Sequence, residues 1–117
     1  MNFNDAMSHH IIWQLRLKRL VDGMSDEALD PVSVANHEIC DLGKWIHDAG
    51  SQLADAPAFN DLVIAHTRFH QAAAEVVKHV QAGEIGQAKG ILSGEVAHQS
   101  REIVGAVVDL KLQNEKH

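Results

Sequence analysis

The chain has no tyrosine, two prolines, one cysteine and only 4% aromatic residues among its 117 positions. With so few aromatics and no sustained alternation of period two, strand signals are poor. Both prolines, Pro31 and Pro57, fall between helical patterns, so neither is expected to interrupt a helix. A lone cysteine excludes an intramolecular disulfide and suits a reducing cytoplasm. Metal ligation or redox chemistry is left for its thiol. Long hydrophobic runs are also missing. The apolar stretches are short and broken by charge or histidine, so no segment is expected to span a membrane. The N-terminus lacks a basic stretch followed by an apolar run, so no signal peptide is expected. Positive charge is scarce: 10 basic against 16 acidic residues give a net charge of −6. That balance lacks the basic footprint that nucleic-acid phosphates require.

What is present is ordinary for a soluble protein: 45% apolar and 22% charged residues. A chain of this length makes one domain, residues 1–117, with a modest core. Four helices are predicted. The first runs from about Asn4, a capping residue, to Asp22, and Gly23 ends it. Its inward face carries His10, Trp13, Leu17, Leu20 and Val21. Met24 to Ala35 reads as an acidic connection. The second helix runs from Asn36 to Ala49 and stops at Gly50. The third runs from Asn60 to Ala82 and stops at Gly83. The fourth begins near Glu84 and passes Leu110, with an apolar stripe of Ile85, Ala88, Leu92, Val96, Ile103, Val107 and Leu110. Gly86, Gly90 and Gly94 weaken its first half by up to about 1 kcal/mol each relative to alanine. Short connections between four amphipathic helices predict an all-α, up-down-up-down four-helix bundle.

Nine histidines are many for this length, and their placement matters more than their number. His66 and His70, in H-T-R-F-H, share one helical face, a spacing that suits two ligands of one ion. Phe69 between them is expected to face the core. His10 lies in H-I-I-W, with Trp13 one turn along as a bulky neighbour able to exclude water. Cys40 opens C-D-L-G-K-W, and the missing Cβ of Gly43 would let a neighbouring helix approach. Three imidazoles and one thiolate favour zinc over hard cations. Four protein ligands leave no open position for water or substrate, which argues against hydrolytic catalysis. By spacing alone His37 could share the face of Cys40, and His9 competes with His10 from about 100° around the helix. His47, His79, His98 and His117 are expected on solvated faces, as is Lys44. Trp45 is expected to fill the core, and Asp41 either supports an imidazole or faces water.

H-I-I-W at 10–13, C-D-L-G-K-W at 40–45 and H-T-R-F-H at 66–70 together resemble the chemoreceptor zinc-binding (CZB) domain family. That family occurs in bacterial chemotaxis receptors and in some diguanylate cyclases. The resemblance implies a zinc site between the first three helices, with His10, Cys40, His66 and His70 as ligands. It leaves His9 and His37 as neighbours. It also implies a homodimer, helped by Val104 and Val108 beside the main stripe of the fourth helix. The role it implies is sensing of zinc, or of oxidants such as hypochlorous acid, through the zinc–thiolate. The sequence shows no coiled-coil signalling hairpin and no G-G-[D/E]-E-F cyclase motif. The output is therefore expected to pass through a signalling protein or an attached signalling domain.

Three other readings compete. Zinc could simply staple a small bundle that serves as a dimerisation or interaction module. A di-iron oxygen carrier of the hemerythrin type would need inward carboxylate pairs, which the helical faces do not supply. An enzyme with Cys40 as nucleophile and His37 as base lacks a glycine motif for an oxyanion hole. No enzymatic activity is expected.

Overall fold

The computed structural model describes residues 3–25, 29–36, 43–46, 48 and 56–115, and among them every regular element is a helix. Helix α1 spans Phe3–Val21. A short α2 spans Pro31–Ala35, and residues 43–46 and 48 are also helical. Helix α3 spans Pro57–Gln81. Helix α4, Ile85–Ile91, runs through a π-helical turn, Leu92–Val96, into α5, Ala97–Glu115.

The ends of α1 and α3 share one geometry. Gly23 has φ +73° and Gly83 has φ +76°. The amide of Met24 bonds the Arg19 carbonyl at 2.9 Å, and that of Glu84 bonds the His79 carbonyl at 2.8 Å. The glycine amides bond Leu20 and Val80, at 3.2 and 3.1 Å. These paired bonds form a Schellman closure, whose left-handed residue is favourable only without a Cβ. Both helices stop at the glycines the sequence nominates.

The short α2 corrects the reading of Met24 to Ala35 as a plain connection. Asp30 adopts an extended backbone and accepts the Val32 amide through its carboxylate at 3.1 Å. The Ser33 hydroxyl donates to the same carboxylate at 3.2 Å. Pro31 occupies the first turn, where its missing N–H costs nothing. Asn36, expected to open a helix, closes this one through its amide on the Ser33 carbonyl. The rest of the expected second helix, residues 37–42, 47 and 49, lies outside the described residues, as does its stop at Gly50. Helix α3 starts three residues earlier than expected, because Pro57 fits its first turn.

Helix α3 is the centre of the molecule. It packs most extensively on α5, and also on α2, α4 and α1. Leu62, Phe69, Ala73 and Val76 are wholly buried on it. Leu17 of α1 and Val96, Ile103, Val107 and Leu110 of the C-terminal rod complete the core. That rod, Ile85 to Glu115, would be about 46 Å long at 1.5 Å per residue, close to the molecule's 50 Å longest dimension. Its predicted stripe faces inward except at Ile85, which is exposed.

Backbone torsions pass through the π turn without a break: φ −60° and ψ −46° at Leu92, φ −64° and ψ −39° at Ala97. Gly90 precedes it and Gly94 lies within it, and beyond the local helix backbone neither glycine has a heavy atom within 4 Å of where a Cβ would stand. They serve the backbone, not close packing. Glycine lowers the cost of widening a helix locally. Among the described residues, no helix is long and apolar enough to cross a membrane.

Candidate metal centre

Three histidines occupy the core. His10 on α1 is 2% exposed, and His66 and His70 on α3 are 2% and 1% exposed. Each falls on the inward face of its helix because each shares the apolar spacing there. His10 precedes Leu17 by two turns, and His66 and His70 flank Phe69. The rings of His66 and His70 meet edge to face, with centroids 4.7 Å apart and planes at 80°. His10 lies against Phe69 at 4.4 Å between centroids.

Buried imidazoles need partners for their N–H groups. His70 Nδ1 is 2.8 Å from the carbonyl of Val34. A carbonyl only accepts, so Nδ1 carries the hydrogen and the lone pair sits on Nε2. His10 Nε2 is 2.9 Å from the Ser100 hydroxyl oxygen. Ser100 in turn donates to Gln14 Oε1 at 2.8 Å. The Trp13 ring meets His70 edge-on at 5.5 Å, and the Arg16 guanidinium lies 4.3 Å from the Trp13 centroid. Trp13 thus covers His70, a residue of the third helix, from its place on α1.

Burial, and after it repulsion from His70, push the His10 imidazole down from an ordinary 6.5 to about 4. His10 is therefore neutral near pH 7, the state in which an imidazole can donate its lone pair to a metal.

Of the four expected ligands, His10, His66 and His70 are brought into one buried region, while Cys40 lies outside the described residues. So do His37, His47, His117, Asp41 and the side chain of His9. Among the described residues, no three histidine, cysteine, aspartate or glutamate side chains are grouped to hold a metal ion. The donor chemistry fits zinc: three buried imidazoles, one of them anchored through Nδ1 with the Nε2 lone pair left over. Gly43 is buried, Lys44 and His98 are exposed, and Trp45 packs against the core. His79 is partly exposed and bonds Glu84 at 3.1 Å.

Sequence reasoning missed Ser100, Gln14 and the Val34 carbonyl. A signal for Ser100 was present. It stands four residues after Val96 and three before Ile103, a hydroxyl on the apolar stripe. Val34 gave none, because its segment read as a connection.

No curated protein and no solved structure matches the chain. The family model described as the chemoreceptor zinc-binding domain matches residues 10–77, a span that includes His10, Cys40, His66 and His70. Domains of this family are regulatory parts of bacterial signalling proteins and are not themselves catalytic. With more than half of its length matched and a trio of buried histidines inside the match, the chain belongs to the chemoreceptor zinc-binding domain family, and zinc is its metal.

Proposed function

We propose that the chain is a cytoplasmic zinc-binding sensory domain in which His10, Cys40, His66 and His70 hold one zinc ion. In this reading α1, the second helical region around residues 43–48, α3 and the α4–α5 rod form an up-down-up-down four-helix bundle, and the ion ties the first three helices together. The observation that carries it is the burial of three imidazoles, each at most 2% exposed, in a largely apolar core. Bound zinc would keep the Cys40 thiol deprotonated and therefore oxidisable. Hypochlorous acid would oxidise the Cys40 sulfur to a sulfenic acid and itself be reduced to chloride. A sulfenic acid is a weaker ligand than a thiolate, so one tie between helices would loosen.

Elemental analysis tests the ligand set. One zinc per chain is expected in the wild type, and clear loss in Cys40→Ala. Equal zinc in both would remove the thiolate from the site. Titration with hypochlorous acid, following zinc release and helicity, tests sensing. Full retention of zinc with unchanged helicity would leave the purely structural staple, a reading the deep burial of the histidines also favours.

The domain is further proposed to act as a homodimer that passes its signal to an attached signalling domain or a signalling protein. Ile11, Ile12 and Leu15 on α1 and Val108 and Leu112 on α5 are exposed apolar residues available for such a contact. Sedimentation equilibrium should give twice the chain mass, 25.6 kDa from 12.8 kDa per chain. A single-chain mass at tens of micromolar would refute it.

A further inference from the structure

The hydrogen bonds around His10 assign its two nitrogens. A serine hydroxyl has one hydrogen. That of Ser100 goes to Gln14 Oε1, 2.8 Å away. The 2.9 Å contact between Ser100 and His10 Nε2 must then be filled by the imidazole hydrogen. A neutral imidazole has only one, so its lone pair stands on Nδ1. His70 is held the opposite way: its Nδ1 donates to Val34, and Nε2 keeps the lone pair.

We propose that Ser100, itself oriented by Gln14, is a positioning residue that holds His10 as its Nε2–H tautomer, so that Nδ1 is the nitrogen given to zinc. The inference rests on the reading of His10 as a zinc ligand. It adds a contribution from α5, which lies beyond the 10–77 span that the family model matches. Ser100 is 7% exposed and Gln14 is partly buried, so water competes little for these bonds. The placement has a cause in the helix. Ser100 sits on the inward stripe one turn beyond Val96, where the π turn ends and regular α-helix resumes. His10 and Gln14 are one turn apart on α1, so a single hydroxyl between the two helices reaches both. Partners of this kind fix the orientation of a ligating imidazole and raise its basicity.

Two measurements on the full chain test this. Long-range proton–nitrogen correlation spectra of the zinc-loaded wild type should show His10 with a protonated Nε2 and a metal-bound Nδ1, and His70 with the reverse. Zinc on Nε2 of His10 overturns the proposal without any variant. Competition against a chromophoric chelator should show Ser100→Ala binding zinc about 10–100-fold more weakly, with Ser100→Thr close to wild type. Circular dichroism should find equal helicity in the three proteins. Wild-type affinity in Ser100→Ala also overturns the proposal. His10→Ala separates the two layers. If it binds zinc as tightly as the wild type, the ligand assignment itself falls. If it loses zinc while Ser100→Ala does not, only the positioning role falls.

Discussion

His10 illustrates how burial changes the acid–base chemistry of an ordinary side chain. In water an imidazole is half protonated near pH 6.5, whereas in this core the value drops to about 4, first through burial and then through the charge of His70. The consequence for stability has a definite sign. Above pH 6.5 the residue is neutral in both folded and unfolded chains, and its contribution is fully present. Below that, the unfolded chain takes up a proton that the folded chain refuses. Stability then falls until the pH reaches about 4, by roughly 3 kcal/mol in the metal-free protein. Urea unfolding of the zinc-free chain at several values between pH 7.5 and 4 should show this slope, and His10→Gln should flatten it. Parallel profiles for the two proteins would mean that His10 is not held neutral. At this scale the sequence was informative about which residues turn inward. It was silent about their partners, because Ser100 and His10 are 90 positions apart.

Glycines close α1 and α3, and the two kinds of glycine in this protein predict opposite outcomes for the same substitution. Gly83 has φ +76°, a conformation in which a Cβ meets its own backbone, although nothing else lies within 4 Å. Gly83→Ala should therefore destabilise the chain by about 1–2 kcal/mol. Gly105 lies in the regular turns of α5, is exposed, and also has open space around it. Gly105→Ala should stabilise by up to about 1 kcal/mol, since alanine restricts the unfolded chain more and prefers the helix. Chemical denaturation of both variants checks the pair, and a shared sign would contradict this account of the helix ends. The stops at Gly23 and Gly83 were legible because one residue type dominates that conformation. The π turn at Leu92–Val96 was not. Its glycines announce a weak helix, and a regular period carried across it still places most of the stripe correctly. The start of α2 was written in Asp30 and Pro31, a cap followed by a first-turn proline. Five residues are too few for a hydrophobic period to draw notice.

For the molecule as a whole, zinc is expected to act as a ligand of the folded state. At free zinc 100-fold above its dissociation constant the gain is about 2.7 kcal/mol, equivalent to roughly 10 °C in Tm for a domain of this size. Adding a chelator should lower Tm by about that much. In Cys40→Ala the chelator's effect should shrink, and an undiminished difference would place the metal elsewhere.

The sequence by itself determined that the chain is helical, where α1 and α3 stop, which faces turn inward, and the order of histidines and cysteine that marks its family. These follow from local rules: the helical period, the backbone freedom of glycine and the spacing of residues within a few turns. The tertiary structure decided that α3 stands at the centre, that Val34 receives His70, and that Ser100 and Gln14 close on His10. Such contacts join residues far apart along the chain. No local preference encodes them; they arise when the packed helices leave buried N–H groups that must find acceptors.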